Sequence, residues 1–464
     1  MSLVSLSSLS AAAAVALVAL SGCSLVAQQA QPVGPGANEP AWVQATADGG
    51  WAVRALTQAA ACPTLTWAGG QAAMNTRTAP ATVAPRGNAA QPESKSAVFD
   101  RRSCEAPWPA AAAELRVNGQ LLKRPVAAPR HIVLIGDTGC RMKASEQAFQ
   151  DCNDALRWPY ATVARSAAAM APDLVIHLGD FHYRESPCPA DKPGCAGSPW
   201  GYGHDTWSAD LFRPAAPLLV AAPWVFVRGN HESCGRAGVG WFRYLDARPW
   251  SAQAACETPE QDAAAEFTEP YAVALSADTQ LIVFDSAFAA GKAYPAGSPV
   301  AARYAAQLQR VAELARNKAH NFFLNHHPVL AFGGSESGQP KPGNAGLLSV
   351  MAAAHPARLY ADGVEAVLSG HVHLFQALSF ATPHPAALDL GNSGSAMEGT
   401  VNPAAALRAQ PAPGAVVKAY ATQDGFGYAT LDREADGWRI TEFDTQGRPL
   451  AVCALRGSKL NCGT

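Results

Sequence analysis

Five short polar clusters stand at the ends of apolar runs. They are Gly136-Asp137-Thr138-Gly139, Gly179-Asp180-Phe181-His182-Tyr183, Gly229-Asn230-His231-Glu232, Asn325-His326-His327-Pro328 and Gly370-His371-Val372-His373. Together they offer carboxylate, phenol, amide and imidazole groups. That mixture of oxygen and nitrogen donors suits divalent or trivalent cations. Two such cations held side by side can clamp both the attacking and the leaving oxygen of a displacement at phosphorus. A lone Gly-Asp or a lone His-x-His is a weak signal, because each histidine taken singly is more often a surface or hydrogen-bonded core residue. The ordered set of five is a strong one.

The apolar runs explain how groups so far apart in sequence can meet. Ile132–Ile135, Leu174–Ile176, Trp224–Val227, Phe322–Leu324 and Ala366–Leu368 each read as a buried strand leading into its cluster. Parallel strands of an α/β sheet bring their carboxyl ends to one edge, where ligands bind. Between the strands the chain reads as helix or loop. A helix is expected from about Ser145 to Met170, interrupted near Pro159. Ala301–Lys318, with Leu308, Val311, Ala312, Leu314 and Ala315 at helical spacing, reads as amphipathic. Leu281–Ser286 reads as another buried strand. Gly427–Leu431 and Trp438–Phe443, joined by Asp436-Gly437, read as a hairpin that completes a sheet. The fold class expected is therefore α/β.

At Asp137, Asp180, Asn230, His326, His371 and His373 the chain resembles the calcineurin-like metallophosphoesterases. The first motif is Asp137-Thr138-Gly139, without the His common two residues after the Asp. Tyr183 stands three residues after Asp180. Gly-Asp-x-Gly followed by Gly-Asp-x-x-Tyr, then Gly-Asn-His-Glu and Gly-His-x-His, resembles the purple acid phosphatases within that superfamily. The fourth motif departs slightly, with Phe323 where a Val is common. The resemblance covers about residues 130 to 395. It implies an α-β-β-α sandwich core. It further implies that Asp137, Tyr183 and His373 hold one metal, that Asn230, His326 and His371 hold the other, and that Asp180 bridges them. A phenolate is a hard anionic donor, so Fe(III) is expected at the Tyr183 site and divalent Fe, Zn or Mn at the other. The reaction implied is hydrolysis of phosphate esters by a metal-bound hydroxide, most simply of monoesters. His231 would donate a hydrogen bond or proton to the leaving oxygen. His182 and His327 are nearby in sequence, and strand geometry is expected to point them away from the pocket. A phosphodiesterase or nucleotide hydrolase would use the same site. A reading of another class is a metal-binding lipoprotein without catalysis.

The chain has 464 residues and a formal charge of -2. It carries no basic footprint for nucleic acid. Its substrate is expected to be a small phosphate ester, and its oligomeric state is not legible. Residues 1–22 read as a signal peptide, with an apolar run at 11–20 that leads into Leu20-Ser21-Gly22-Cys23. This end resembles a bacterial lipobox, with Cys23 as the lipid attachment site, although Met1–Ser10 holds no Lys or Arg. The expected location is the cell envelope of a bacterium, lipid-anchored at the periplasmic face of the outer membrane. Residues 24–40 read as a tether, 41–126 as a small β-rich region with a Pro, Asn and Ser-rich loop, and 127–464 as the metallophosphoesterase domain. Setting Cys23 aside leaves ten cysteines, an even number. Their spacing suggests five sequence-local disulfides: Cys62 with Cys104, Cys140 with Cys152, Cys188 with Cys195, Cys234 with Cys256, and Cys453 with Cys462. Such pairing fits an oxidising compartment. The loops Pro187–Trp207 and Phe332–Gly346 leave motif-bearing strands, so both could border a substrate.

Overall fold

The computed structural model describes residue 1, residues 39–86 and residues 94–463. The expected signal peptide, Cys23 and nearly all of the tether lie outside the described residues. Residues Gly36–Thr464 form one unit.

Two large sheets lie at its centre. The first has eleven strands, in the order Lys459–Gly463, Pro449–Arg456, Gly437–Asp444, Gly427–Glu434, His131–Ile135, Leu174–His177, Trp224–Phe226, Ala41–Ala45, Trp51–Thr57, Arg102–Pro107 and Asn75–Thr78. The second has seven: Tyr271–Ala274, Thr279–Val283, His320–Leu324, Val364–Ser369, Ala386–Leu390, Phe375–Phe380 and Val417–Gln423. The 131, 174 and 224 strands are parallel in the first sheet, and the 279, 320, 364 and 386 strands are parallel in the second. All five apolar runs that lead into polar clusters are among these strands. Their carboxyl ends are therefore the ends that carry chemistry.

The sheets pack face to face. Ile132, Leu134, Ile176 and Val225 of one meet Leu281, Phe322, Leu324 and Leu368 of the other in a single apolar layer. Helices cover the outer faces. Tyr160–Ala169 buries Tyr160, Val163, Ala164 and Ala167, a 3–4 residue spacing that forms one stripe, behind the first sheet. Pro299–Ala315 buries Tyr304, Leu308, Val311 and Ala315 behind the second. Its start is set by Ser298, whose side chain accepts the Ala301 N–H, and by Pro299 at the first helical position. Burying each large apolar side chain stabilises the fold by roughly 1.5–3 kcal/mol. The layers are thus helix, sheet, sheet and helix, as the resemblance implies. Among the described residues no helix is long and apolar enough to cross a membrane.

Local expectations were met unevenly. Glu114–Val117 and Gln120–Lys123 pair across Asn118-Gly119, whose φ values of 51° and 76° are those of a tight hairpin turn. The 427 and 437 strands form the expected hairpin. The helix expected from Ser145 begins only at Tyr160. The preceding stretch is a short 3-10 turn at Ala144–Glu146 and a two-residue strand at Ala148–Phe149. The Cys140–Cys152 disulfide closes this segment into a loop, and Pro159 can stand before a helix but not inside one. The strand expected over Leu281–Ser286 ends at Val283, and Asp285 and Ser286 turn into side-chain contacts instead. The strands of 41–126 partly extend the first sheet, because Ala41–Ala45 runs parallel to Trp224–Phe226. Others form a separate sheet of four: Gln120–Lys123, Glu114–Val117, Thr64–Trp67 and Gly70–Ala73. All five cysteine pairs are joined as their spacing suggests.

Candidate metal centre

The seven candidate ligands meet at the carboxyl ends of the two facing sheets. Tyr183 Oη lies 2.9 Å from Asp137 Oδ1, 2.9 Å from Asp180 Oδ2 and 2.8 Å from His373 Nε2. His373 Nε2 is also 3.3 Å from Asp137 Oδ1. On the other side of Asp180, His326 Nε2 lies 3.1 Å from Asp180 Oδ2 and 3.1 Å from Asn230 Oδ1. His371 Nδ1 is 3.1 Å from the same amide oxygen. Two nests of donors therefore share one carboxylate. Asp137, Asp180, Tyr183, His326 and His373 are buried, whereas Asn230 and His371 are half-buried. The open side of the site is theirs.

The donor set fits cations. A phenol has one proton, yet Tyr183 Oη is within hydrogen-bond reach of three acceptors. His326 donates its Nδ1–H to the Leu178 carbonyl at 2.8 Å, and His373 donates its Nδ1–H to the Ala396 carbonyl at 2.6 Å. Each Nε2 therefore turns a lone pair inward, the tautomer a metal ligand needs. Burial, then the charges of Asp137 and Asp180, push the Tyr183 phenol well above its ordinary value. Burial alone would lower His326, but Asp180 and Asp137 outweigh it and raise the imidazole to about 9. Both shifts report concentrated negative charge, which bound cations would neutralise. Among the described residues, Asp180, His326 and His371 bring one ligand atom each within 4.8 Å of one another.

The backbone is bent to make this arrangement. Asp137, Asp180 and His371 have φ values of 53°, 55° and 74°. Such left-handed conformations are uncommon outside glycine and gather at functional sites. They persist because neighbours hold them. Glu232 accepts the N–H groups of Asp180 (3.1 Å), Phe181 (2.9 Å), His182 (3.2 Å) and Gly229 (3.0 Å). Burial, then the Asp180 charge, push this carboxyl up to about 8. Asp210 does the same for the next turn. It accepts from Cys140 N at 3.1 Å, Tyr183 N at 2.9 Å and Arg184 Nε at 2.6 Å. A Cβ on Gly229 would lie 2.1 Å from Asp180 Oδ1 and 2.2 Å from Asp180 N, so only glycine fits there.

His231 stands beside the centre. Its ring packs on Tyr183 with centroids 3.8 Å apart. Nδ1 is 2.7 Å from Glu185 Oε1, and Nε2 is 3.8 Å from Asp180 Oδ2. Arg236 Nη2 lies 2.7–2.8 Å from both ring nitrogens and pairs with Glu185. Burial, then Arg236, pull the imidazole down to about 4.

His182 is fully buried, and among the described residues neither of its ring nitrogens has a hydrogen-bond partner. It packs against Tyr202 and Trp207. His327 is buried too, but its ring lies 4.3 Å from that of His371, nearer the centre than its place in the sequence suggests. Ser286 Oγ accepts the N–H groups of both His326 (3.2 Å) and His327 (3.1 Å). The two loops expected to border a substrate are tied down by contacts of their own. The Cys140–Cys152 and Cys188–Cys195 disulfides share a small apolar cluster with Met142 and Trp158. Ser335 in the Phe332–Gly346 loop is bonded through its backbone to Thr400.

Several supports were missed in the sequence. Glu185, Asp210 and Ser286 lie far in sequence from the groups they hold, and Glu232 and His177, though close to the clusters, gave no sign of the distant groups they also hold. His177 donates from Nε2 to Thr138 Oγ1 at 2.9 Å and accepts Gly179 N–H at Nδ1. Gly391-Asn392-Ser393-Gly394-Ser395, which follows the Ala386–Leu390 strand, carried the one usable signal: a sixth polar cluster at a strand end. Ser393 N–H donates to the Gly136 carbonyl and Ser395 N–H to the Asp137 carbonyl, bracing the first motif.

The comparisons agree with this geometry. Residues 130–375 match the family model for calcineurin-like phosphoesterase. No curated protein matches the chain by sequence. Among solved structures, the purple acid phosphatase PPD1 from seeds of yellow lupin (Lupinus luteus) is similar, with 14% identity, a TM-score of 0.53 and coverage of 89% of this chain and 73% of that one. The structure of PhoD is similar at 12% identity, with a TM-score of 0.50 and 94% of each chain covered. At such identities the likeness is one of fold. The matched family model spans every one of the seven metal-ligand candidates, more than half the chain in all, and the chain belongs to the calcineurin-like phosphoesterases, metal-dependent hydrolases of phosphoric esters.

Proposed function

We propose that this chain is a phosphomonoesterase with a dinuclear centre of the purple acid phosphatase kind. One observation carries the reading: Tyr183 Oη meets Asp137, Asp180 and His373, while the same Asp180 carboxylate reaches His326. Asp137, Tyr183 and His373 would hold the first ion, Asn230, His326 and His371 the second, and Asp180 both. The phenolate favours Fe(III) at the first position, with divalent Fe, Zn or Mn at the second. Bound there, the ions would neutralise the ester's charge and lower the pKa of an attacking water.

The chain's own groups supply orientation. His231 N–H fixes Asp180 Oδ1 at 2.8 Å, and His371 N–H fixes Asp137 Oδ2 at 2.8 Å. These bonds hold each carboxylate in one rotamer. A substrate would approach from the side where Asn230 and His371 are half-buried. His231 is our candidate for the leaving oxygen. With Glu185 on its Nδ1 side and Arg236 Nη2 2.8 Å from Nε2, Nε2 would donate to a leaving oxygen only as imidazolium and only with Arg236 turned aside. The remaining proposal concerns location. Five disulfides support an oxidising compartment, in keeping with a lipid-anchored protein at the periplasmic face of a bacterial outer membrane.

The test is elemental analysis of the purified protein together with turnover of p-nitrophenyl phosphate and its bis-ester. Two metals per chain and a preference for the monoester support the proposal. A preference for the bis-ester moves the reading to a phosphodiesterase with the same site. Unchanged hydrolysis in both Asp180→Asn and His371→Ala refutes the site itself. Loss of envelope attachment in Cys23→Ala tests the anchor separately.

A further inference from the structure

The first sheet carries a second candidate binding site on the side away from its 427–463 strands. A cavity of about 670 Å³ opens between the Trp51–Thr57 and Arg102–Pro107 strands and the 247–249 segment. None of the residues lining it is a metal-ligand candidate. The volume is in the range that takes a small organic ligand.

Its lining is specific in two respects. Trp51 and Trp108 are half-buried at its wall, where two large hydrophobic indoles stand beside open space. Trp51 opens one strand and Trp108 follows the end of the adjacent one, and Trp108 N–H donates to the Trp51 carbonyl at 2.8 Å. The charge is also unbalanced. Glu105 accepts from Arg54 Nη2 at 3.2 Å and Arg77 Nη1 at 3.1 Å, two guanidinia whose side chains are 1% and 0% exposed. Arg248 is paired with Asp246 at 2.8 Å. Arg124 is exposed at the rim and bonded to the Ala110 carbonyl at 2.7 Å, and among the described residues no carboxylate pairs with it. Asp48 is occupied by Thr46 Oγ1 and Gly50 N–H. In the lining itself three guanidinia, Arg54, Arg124 and Arg248, thus stand against two carboxylates, Asp48 and Glu105. Guanidinium recognises planar oxyanions, and indole stacks on flat rings.

We propose that this cavity binds a small anion carrying a flat ring, an aryl or heteroaryl carboxylate, sulfonate or phosphate. The ring lies against Trp51 and Trp108, and the anionic group is taken by Arg124. The site is separate from the metal centre, so it acts as an accessory site and not as the place of hydrolysis.

The experiment is isothermal titration of the intact protein with naphthalene-2-sulfonate, an anion that phosphoester hydrolysis cannot consume. Saturable 1:1 binding is expected, with affinity unchanged in Asp180→Asn. Arg124→Ala and Trp51→Ala are each expected to weaken it at least tenfold while leaving phosphatase turnover as it was. Neutral 2-naphthol and inorganic sulfate are each expected to bind at least tenfold more weakly. Absence of saturable binding, equal affinity for 2-naphthol, or full affinity in Arg124→Ala overturns the proposal. Arg124 is exposed, so its variant folds whether or not Trp51→Ala does. Loss of sulfonate binding in Asp180→Asn would instead place the ligand at the metal centre and overturn it as well.

Discussion

Glu232→Gln removes one acceptor oxygen from the turn that holds the bridging carboxylate, and changes almost nothing else. In the native protein Oε2 accepts from Asp180 and Gly229, and Oε1 accepts from Phe181 and His182. Glutamine keeps one oxygen and sets an –NH2 group against the other two N–H donors. Leaving two buried donors unsatisfied costs about 1–3 kcal/mol each, or about 2–6 kcal/mol together. Asp180 has φ of 55°, and a left-handed residue carries roughly 1–2 kcal/mol of its own strain, which the four bonds now offset. Unfolding entropy of about 2.1 cal/mol/K per residue gives roughly 0.9 kcal/mol/K for Gly36–Thr464. The variant should therefore melt about 2–7 °C below the parent.

The assay is calorimetric melting of both proteins with and without prior chelation, at a pH above the carboxyl's value of about 8, where both oxygens of Glu232 accept. Because the folded value lies above the unfolded one of ~4.3, the parent should gain stability as pH falls from about 8 toward that value, so its difference from the non-titrating glutamine variant should widen across this window. A relaxed Asp180 turn should also weaken metal retention, by roughly the 10–100-fold typical of outer-sphere partners. A stripped Glu232→Gln protein that melts with the stripped parent at high pH, and a loaded one that keeps its full metal content, would together refute the claim that this cradle holds the strained turn.

Tyr183→Phe removes the group that meets three acceptors, so the visible charge-transfer band expected of an Fe(III) phenolate should vanish from the absorption spectrum while the fold melts normally once metals are stripped. The pair His131–Asp432, at the opposite end of the strand that leads to Asp137, gives a pH signature. Its bond to Asp432 raises His131 against the opposing effect of burial, so this contribution to stability is full below pH ~6.5 and is lost as pH rises through the higher folded value. Asp432, lowered by His131 although burial opposes it, adds stability that is lost as pH falls through its folded value, below ~3.9. His131→Gln should flatten the high-pH limb in a melting-temperature series. The Cys234→Ser/Cys256→Ser double variant opens a 22-residue separation next to His231 and should cost about 3 kcal/mol, read as a shift in denaturation midpoint. Gly240→Ala would set a Cβ 1.9 Å from Trp207 Nε1, and overpacking of this kind should lower stability by about 1–3 kcal/mol in the same measurement.

The contrast between what was legible and what was not has a physical basis. Asp137, Asp180, Asn230, His326 and His371 could be grouped because each follows an apolar strand, and parallel strands have only one edge for their carboxyl ends. The strand supplies the address, so the ligand needs no partner in its own neighbourhood of sequence. Asp210 and Glu185 have no such address, and Glu232 and Ser286, although each follows a strand, carry none that names the groups they hold. A carboxylate that accepts backbone N–H groups looks the same in sequence as one that faces water. Only the left-handed turns at Asp137, Asp180 and His371 create the N–H groups that need them. The same limit explains the fold-level surprises. Ala41–Ala45 is a short apolar strand wherever it is placed, and nothing local tells it to run beside Trp224–Phe226. The stretch before Pro159 had helical composition, but a disulfide between Cys140 and Cys152 closed it into a loop. What the sequence hides, then, is the set of long-range bonds that make a strained site affordable. If that is right, ligand substitutions such as His371→Ala should remove activity with little loss of stability, and cradle substitutions such as Glu232→Gln should cost both.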